Sequence, residues 1–152
     1  MLPIALVFAT TYAQFINVME VLLWTRGLWS LRAPFKFDAR KIPKDMYHIL
    51  LALLYIAPFV PLGLVEAFKL AWIVWILNDT TWHFWAVRPS DWLKWIKFYF
   101  NPFSNKVLWY ARLGIAQVKV TPKRMFLITL ARILILPSVS YTHLTLPTIL
   151  LV

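Results

Sequence analysis

Long apolar runs, set apart by short basic connectors, constrain this chain more than any other feature. Pro3 to Trp24 is almost unbroken by charge. About twenty such residues in a helix cover the hydrocarbon core of a bilayer. Further runs occupy Met46 to Trp85 and Met125 onward. The hydrophobic fraction is 61% and the mean hydropathy +0.68, whereas soluble domains hold about 45–50% apolar residues even with glycine counted. Nine Trp, eleven Phe and six Tyr point the same way, because aromatic rings gather where bilayer meets water.

The middle run reads as two helices, Met46 to about Val60 and Leu64 to about Val87, because Pro58, Pro61 and Gly63 punctuate it. The first is short, about 22 Å at 1.5 Å per residue. Charge favours this hairpin over a single kinked span. Arg26, Arg32, Lys36, Arg40, Lys41 and Lys44 precede it, and eight more cations lie between Arg88 and Arg124. A hairpin returns the chain to the side it left, so fourteen of the sixteen cations share one face, as the positive-inside rule requires. The net charge of +10 is thereby accounted for without nucleic acid. The absence of Cys excludes disulfides and thiolate metal sites. No basic residue precedes Pro3, which argues against a secretory signal peptide.

The fold class that follows is all-α: a polytopic transmembrane helical fragment, with three spans (3–24, 46–60, 64–87) and a truncated fourth (125–138). Residues 25–45 and 88–124 form the basic segments. The orientation is amino end outside and basic segments cytoplasmic, in a plasma (inner) membrane. Pro89 to Asn101 reads as an amphipathic helix, N-capped by Ser90 with Asp91 at its positive end. Its Trp92, Trp95, Ile96 and Tyr99 fall at helical spacing, with Lys94 and Lys97 beside them. Such a helix lies in the headgroup plane, so Trp92, Lys94, Trp95, Lys97 and Tyr99 are the candidate membrane-interface residues and anionic headgroups the candidate partner. Asn105 to Gly114, with Trp109, Tyr110 and Arg112, suggests a second helix of the kind.

Ionisable residues inside spans are functional candidates, because burying them is costly. The hairpin brings Glu20, His48, Asp79 and His83 to similar depth, and Asp79 and His83 share a helix face at i, i+4. Carboxylate and imidazole in that number suit Zn²⁺ or another divalent metal. Two histidines on adjacent helices also permit a bis-His haem. The plainer reading places the histidines at the interface and lets Asp79 cap a helix break at Asn78-Asp79-Thr80-Thr81. On the first span, Thr10, Gln14 and Asn17 fall within about 60° on a helix of 3.6 residues per turn. That stripe must face another helix or a wet cavity. Glu66 and Lys69 are spaced to pair at the hairpin tip, and Arg132 needs an acidic or carbonyl partner.

No G-x-x-x-x-G-K-[ST], G-x-S-x-G or H-E-x-x-H motif is present. Three functional readings remain. The first is a structural or interaction subunit bound to other transmembrane helices. The second is a membrane-embedded metal enzyme built on the Glu/His/Asp/His set. The third is a transporter or channel fragment with Thr10, Gln14, Asn17 and Glu66 along a path, for which three glycines are few.

The carboxyl end carries one resemblance. Val139 to Thr148, Val-Ser-Tyr-Thr-His-Leu-Thr-Leu-Pro-Thr, resembles one reading frame of a transposase-type sequencing adapter. The same frame continues through an index to Val152 and a stop. The resemblance implies that 139–152 is an artefact, that His143 carries no chemistry, and that the native product was cut within its fourth apolar run.

Overall fold

The computed structural model describes residues 3–34, 47–113 and 116–141. The chain is mostly helical. Helix α1 spans Pro3–Thr25, α2 Tyr47–Ile56, α3 Leu64–Thr81, α4 His83–Ala86, α5 Trp92–Tyr99 and α6 Pro122–Tyr141. Three-10 turns occupy Ala57–Leu62 and Pro89–Asp91.

The proline-rich middle does turn the chain. Pro58 opens the first 3-10 turn and Pro61 lies within it, so α-helical hydrogen bonds cannot continue. Gly63 follows at φ +91° and donates its N–H to the Val60 carbonyl at 3.0 Å. A side chain is strained at that φ, which suits glycine. The Gly63 carbonyl then accepts the Ala67 N–H at 2.9 Å and starts α3. Helix α3 runs unbroken through Asn78, Asp79 and Thr80 to Thr81, so Asp79 caps no helix break. The hydroxyls of Thr80 and Thr81 bond back to the carbonyls of Ile76 and Leu77 at 2.7 and 2.6 Å, which leaves the helical ladder intact.

Among the described residues, one helix of the four expected spans is long and apolar enough to cross a bilayer by its own length and composition: α1. The reason is charge and length. Helix α3 carries Glu66, Lys69 and Asp79 within its 18 residues, and the apolar stretch Tyr47–Leu62 is too short.

The expected second amphipathic helix is instead a β-hairpin. Strands β1 (Trp109–Leu113) and β2 (Ala116–Val120) pair antiparallel, with Trp109 opposite Val120 and Leu113 opposite Ala116. Trp109, Tyr110, Val118 and Val120 favour a pleated surface, and the Leu108 N–H extends the ladder to the Val120 carbonyl at 2.9 Å. Local strand preference and pairing outweigh the helical spacing of the aromatics.

Two apolar cores result. The first joins α1, α2 and α3 through Ala9, Ala13, Ile16, Tyr55, Phe59, Ala67, Leu70, Ala71 and Val74. Alanines on both long helices let their backbones approach, the role small residues play between membrane helices. The second gathers Val21, Ala86, Val87, Trp95, Tyr99, Leu108, Val120 and Met125. A strap after α1 closes one end. Arg26 and Trp29 adopt left-handed φ of 59° and 51°, and the strap hydrogen-bonds to the segment after α3: Trp29 N–H to Trp85 O at 2.7 Å, Leu31 N–H to Ala86 O and Arg88 N–H to Leu31 O at 3.0 Å.

The outside is apolar. Ile4, Val7, Phe15 and Leu23 on α1, Leu50, Leu53 and Leu54 on α2, Val65 and Phe68 on α3, and Leu127, Leu130 and Leu134 on α6 are all exposed.

Candidate functional site: a buried polar network

Polar side chains meet where α1, α2 and α3 pack. Asn17 on α1 is fully buried and Asn78 on α3 nearly so. Residues 14, 17 and 20 recur along one face of α1, and 78 and 81 along one face of α3, because i, i+3 positions are neighbours on a helix. Asn78 is the hub. Its Nδ2 donates to Asn17 Oδ1 at 2.8 Å and to Glu20 Oε2, and its Oδ1 accepts the Tyr55 hydroxyl at 2.7 Å. The Glu20 carboxylate also accepts the Tyr47 hydroxyl. Thr81 Oγ1 accepts from Asn17 Nδ2 and Gln14 Nε2, both at 2.9 Å. Gln14 Oε1 accepts the Trp85 indole N–H at 2.8 Å. Donors and acceptors are matched, as burial demands.

The expected stripe divides. Gln14 and Asn17 face α3, whereas Thr10 is exposed and its hydroxyl folds back onto the Leu6 carbonyl at 2.9 Å. An ion pair stands next to the network. Arg132 of α6 donates to Asp79 of α3, and its guanidinium lies 3.7 Å from the centre of the Trp75 ring. The Trp72 indole donates to the Arg132 carbonyl at 3.1 Å. Asp79 is thus the partner Arg132 requires. Lys69 is buried and paired with Glu66 at 2.9 Å.

The expected metal set does not assemble. Among the described residues, no three His, Asp or Glu side chains group as ligands. Glu20 is engaged by Tyr47 and Asn78, and Asp79 by a cation that competes with any metal ion. His48 stacks edge-on against Tyr47, with ring centres 5.3 Å apart. His83, 1% exposed, lies in α4 with its ring 4.1 Å from Phe84. Glu20 and Asp79 are thus engaged by protein partners, and His48 and His83 lie against aromatic rings, so the expected four-residue metal set is not formed among the described residues.

The amphipathic helix forms, as α5, but its aromatic face turns inward. Trp95 and Tyr99 are buried, stacked 5.2 Å apart, with Trp82 edge-on to Trp95 at 5.6 Å and Trp109 stacked on Tyr99 at 5.8 Å. These rings serve the second core and are not free for lipid. Burial pushes the Tyr99 phenol well above its ordinary pKa. Trp92 is half-buried and donates to the Val87 carbonyl at 2.9 Å. The outer face shows Leu93 and Ile96 beside Lys94 and Lys97. Ser90 lies in the 3-10 turn, and α5 begins after Asp91 without a side-chain cap. Asp91 instead accepts from Lys94 at 3.1 Å and from the Ala33 N–H at 3.3 Å. The Lys94 bond, with the Ala33 bond after it, holds the Asp91 carboxyl below the usual aspartate range.

Sequence reasoning missed Asn78, Thr81 and Trp85 as partners of the α1 stripe, Tyr47 as the partner of Glu20 and Tyr55 as a partner of Asn78. Asn78 and Thr81 gave a signal, three apart within an apolar helix, but their turn-forming character pointed elsewhere. Lys36, Arg40, Lys41 and Lys44 lie outside the described residues, as does the chain from 142 onward. No protein-family profile, characterised protein or solved structure matches this chain.

Proposed function

We propose that the chain is an integral membrane protein that serves as a structural or interaction subunit for other transmembrane helices. Helices α1, α2 with its 3-10 turn, α3 and α6 would be its spans, with the amino end outside and the basic segments on the cytoplasmic side. One observation carries this reading: polar side chains hydrogen-bond to one another inside, while the exposed faces of the long helices are mostly leucine, isoleucine, valine and phenylalanine. Water would penalise such an exterior, and lipid or partner helices would not. The charges on α3 and α6 are compatible with spanning because Asp79 pairs with Arg132 and Glu66 with Lys69. A transport path along the stripe has less support, since Gln14 and Asn17 spend their polar atoms on protein partners. We also read residues 139–152 as adapter-derived, which adapter-free resequencing across the Ser138 codon checks.

The absence of Cys makes single-cysteine topology mapping free of background. Ser30→Cys and Phe103→Cys are expected to react with an impermeant maleimide only from the cytoplasmic side, and Leu64→Cys only from the other. Alkaline carbonate is expected to leave the chain in the membrane pellet. Release by carbonate, or labelling of all three positions from one side, overturns the reading.

A further inference from the structure

An open cleft of about 370 Å³ lies where β2 meets α6, lined by Asn105, Lys119, Thr121, Lys123, Arg124 and Leu127. We propose that this cleft binds the phosphate of an anionic phospholipid, with one acyl chain laid along α6. The inference rests on the membrane reading above.

Charge is the first argument. Three cations line the cleft and no carboxylate does. The four carboxylates among the described residues are engaged elsewhere: Glu20 with Tyr47 and Asn78, Glu66 with Lys69, Asp79 with Arg132, Asp91 with Lys94. A second cleft, of about 390 Å³, has Arg32, Arg88 and Lys94 in its wall. There Asp91 supplies the counter-charge internally, taking bonds from Lys94 and the Ala33 N–H. The cleft on α6 has no such internal anion. Phosphate oxygens are the natural acceptors for lysine ammonium groups and a guanidinium.

The helix amides do not make the site. The Lys123 N–H is taken by the Ser104 carbonyl at 3.0 Å and the Arg124 N–H by Thr121 Oγ1 at 3.2 Å. Side chains must do the binding, and these contacts fix where they start. Arg124 is further held by its bond to the Lys119 carbonyl at 2.8 Å, which fixes the guanidinium beside β2.

Apolar surface is the second argument, and it separates a lipid from free phosphate. Leu127, 50% exposed, forms one wall of the cleft. Leu130 and Leu134, at 43% and 67%, follow it at i+3 and i+7, so an exposed apolar stripe leaves the cationic cleft along one helix face. An ion has no use for that stripe, but an acyl chain does.

The full chain, in detergent, is exchanged with phosphatidylglycerol and phosphatidylcholine, and retained lipid is read by native mass spectrometry. Wild type is expected to prefer phosphatidylglycerol. Lys119→Gln/Lys123→Gln keeps the Arg124 contact and is expected to lower that preference roughly fivefold per lysine, the usual weight of a cation at a membrane surface. Arg88→Gln/Lys94→Gln, in the other cleft, is expected to lower it less. Thermal unfolding of each variant in phosphatidylcholine alone is expected to match wild type. Equal losses from the two pairs overturn the inference, as does inorganic phosphate that displaces the lipid and binds in its place. Carbonate retention of wild type in the membranes before detergent extraction separates failure of the cleft from failure of the membrane reading, since release from the pellet overturns both.

Discussion

Replacing Asp79 by Asn removes the one carboxylate among the described residues that pairs with Arg132. The Arg132 side chain is 12% exposed and that of Asp79 25%, so water does little to replace a lost partner. Removing one member of a buried pair costs about 3–5 kcal/mol, because a charge is left behind. The order of the two single variants follows from chemistry. Guanidinium cannot shed its charge, whereas an orphaned carboxylate becomes neutral by taking up a proton. Asp79→Asn is therefore expected to destabilise more than Arg132→Met. Arg132→Met still gives up the contact with the Trp75 ring, which contributes about 0.5–2 kcal/mol. The double variant leaves no charge and is expected to recover most of the loss, as apolar replacements of buried pairs do. The assay is reversible unfolding in mixed micelles titrated with dodecyl sulfate and followed by tryptophan fluorescence, with a double-mutant cycle over the four proteins. The expected coupling is about 3 kcal/mol. A double variant as unstable as Asp79→Asn would refute the reasoning, because the cost would then come from lost shape and not from an unpaired charge.

Asn78→Leu strands the Tyr55 hydroxyl, the Asn17 side-chain amide oxygen and a Glu20 oxygen, and each orphaned buried group costs roughly 1–3 kcal/mol. In the same titration it is expected to fall well below Thr10→Ala, whose hydroxyl only returns to its own helix. Asp91 has a depressed pKa, so the stability it adds is complete above the unfolded aspartate value of about 3.9 and is lost as pH falls through the lower folded value. Exchange protection of the Ala33 amide is expected to drop over that acid window in wild type. In Asp91→Asn it is expected to be lower at neutral pH and flat with pH; an unchanged wild-type profile would show that the carboxylate does not hold the strap.

The helices were legible because their causes are local. Apolar length marked α1, and Pro58, Pro61 and Gly63 marked the turn before α3. The β-hairpin was not, because Trp109 and Tyr110 suit a helix face and a strand equally until Val118 and Val120 arrive to pair with them. The inward face of α5 was obscured for a similar reason. Spacing shows that Trp95 and Tyr99 share a face, but not whether lipid or Trp82 covers it. Half of the polar network was visible, as Gln14 and Asn17. Its other half was misread because asparagine, aspartate and threonine at 78–81 resemble a helix end, and only the α1 side chains opposite make a continuous helix worth their burial. Asp79 illustrates the same limit. Its sequence neighbours suggested His83 as its companion, whereas the contact that forms is with Arg132, 53 residues away.

The bond from Gln14 to Thr81 spans 67 positions in the chain, and the strap after α1 waits for Trp85, Ala86 and Arg88. A ribosome therefore finishes α1 long before its amides have anything to hold. Under the membrane reading, the nascent helix must be sheltered through that interval, by an insertase groove or by a waiting partner helix. Assembly of this chain would then be timed by the emergence of α3, and depletion of the shelter would cost yield before it cost stability.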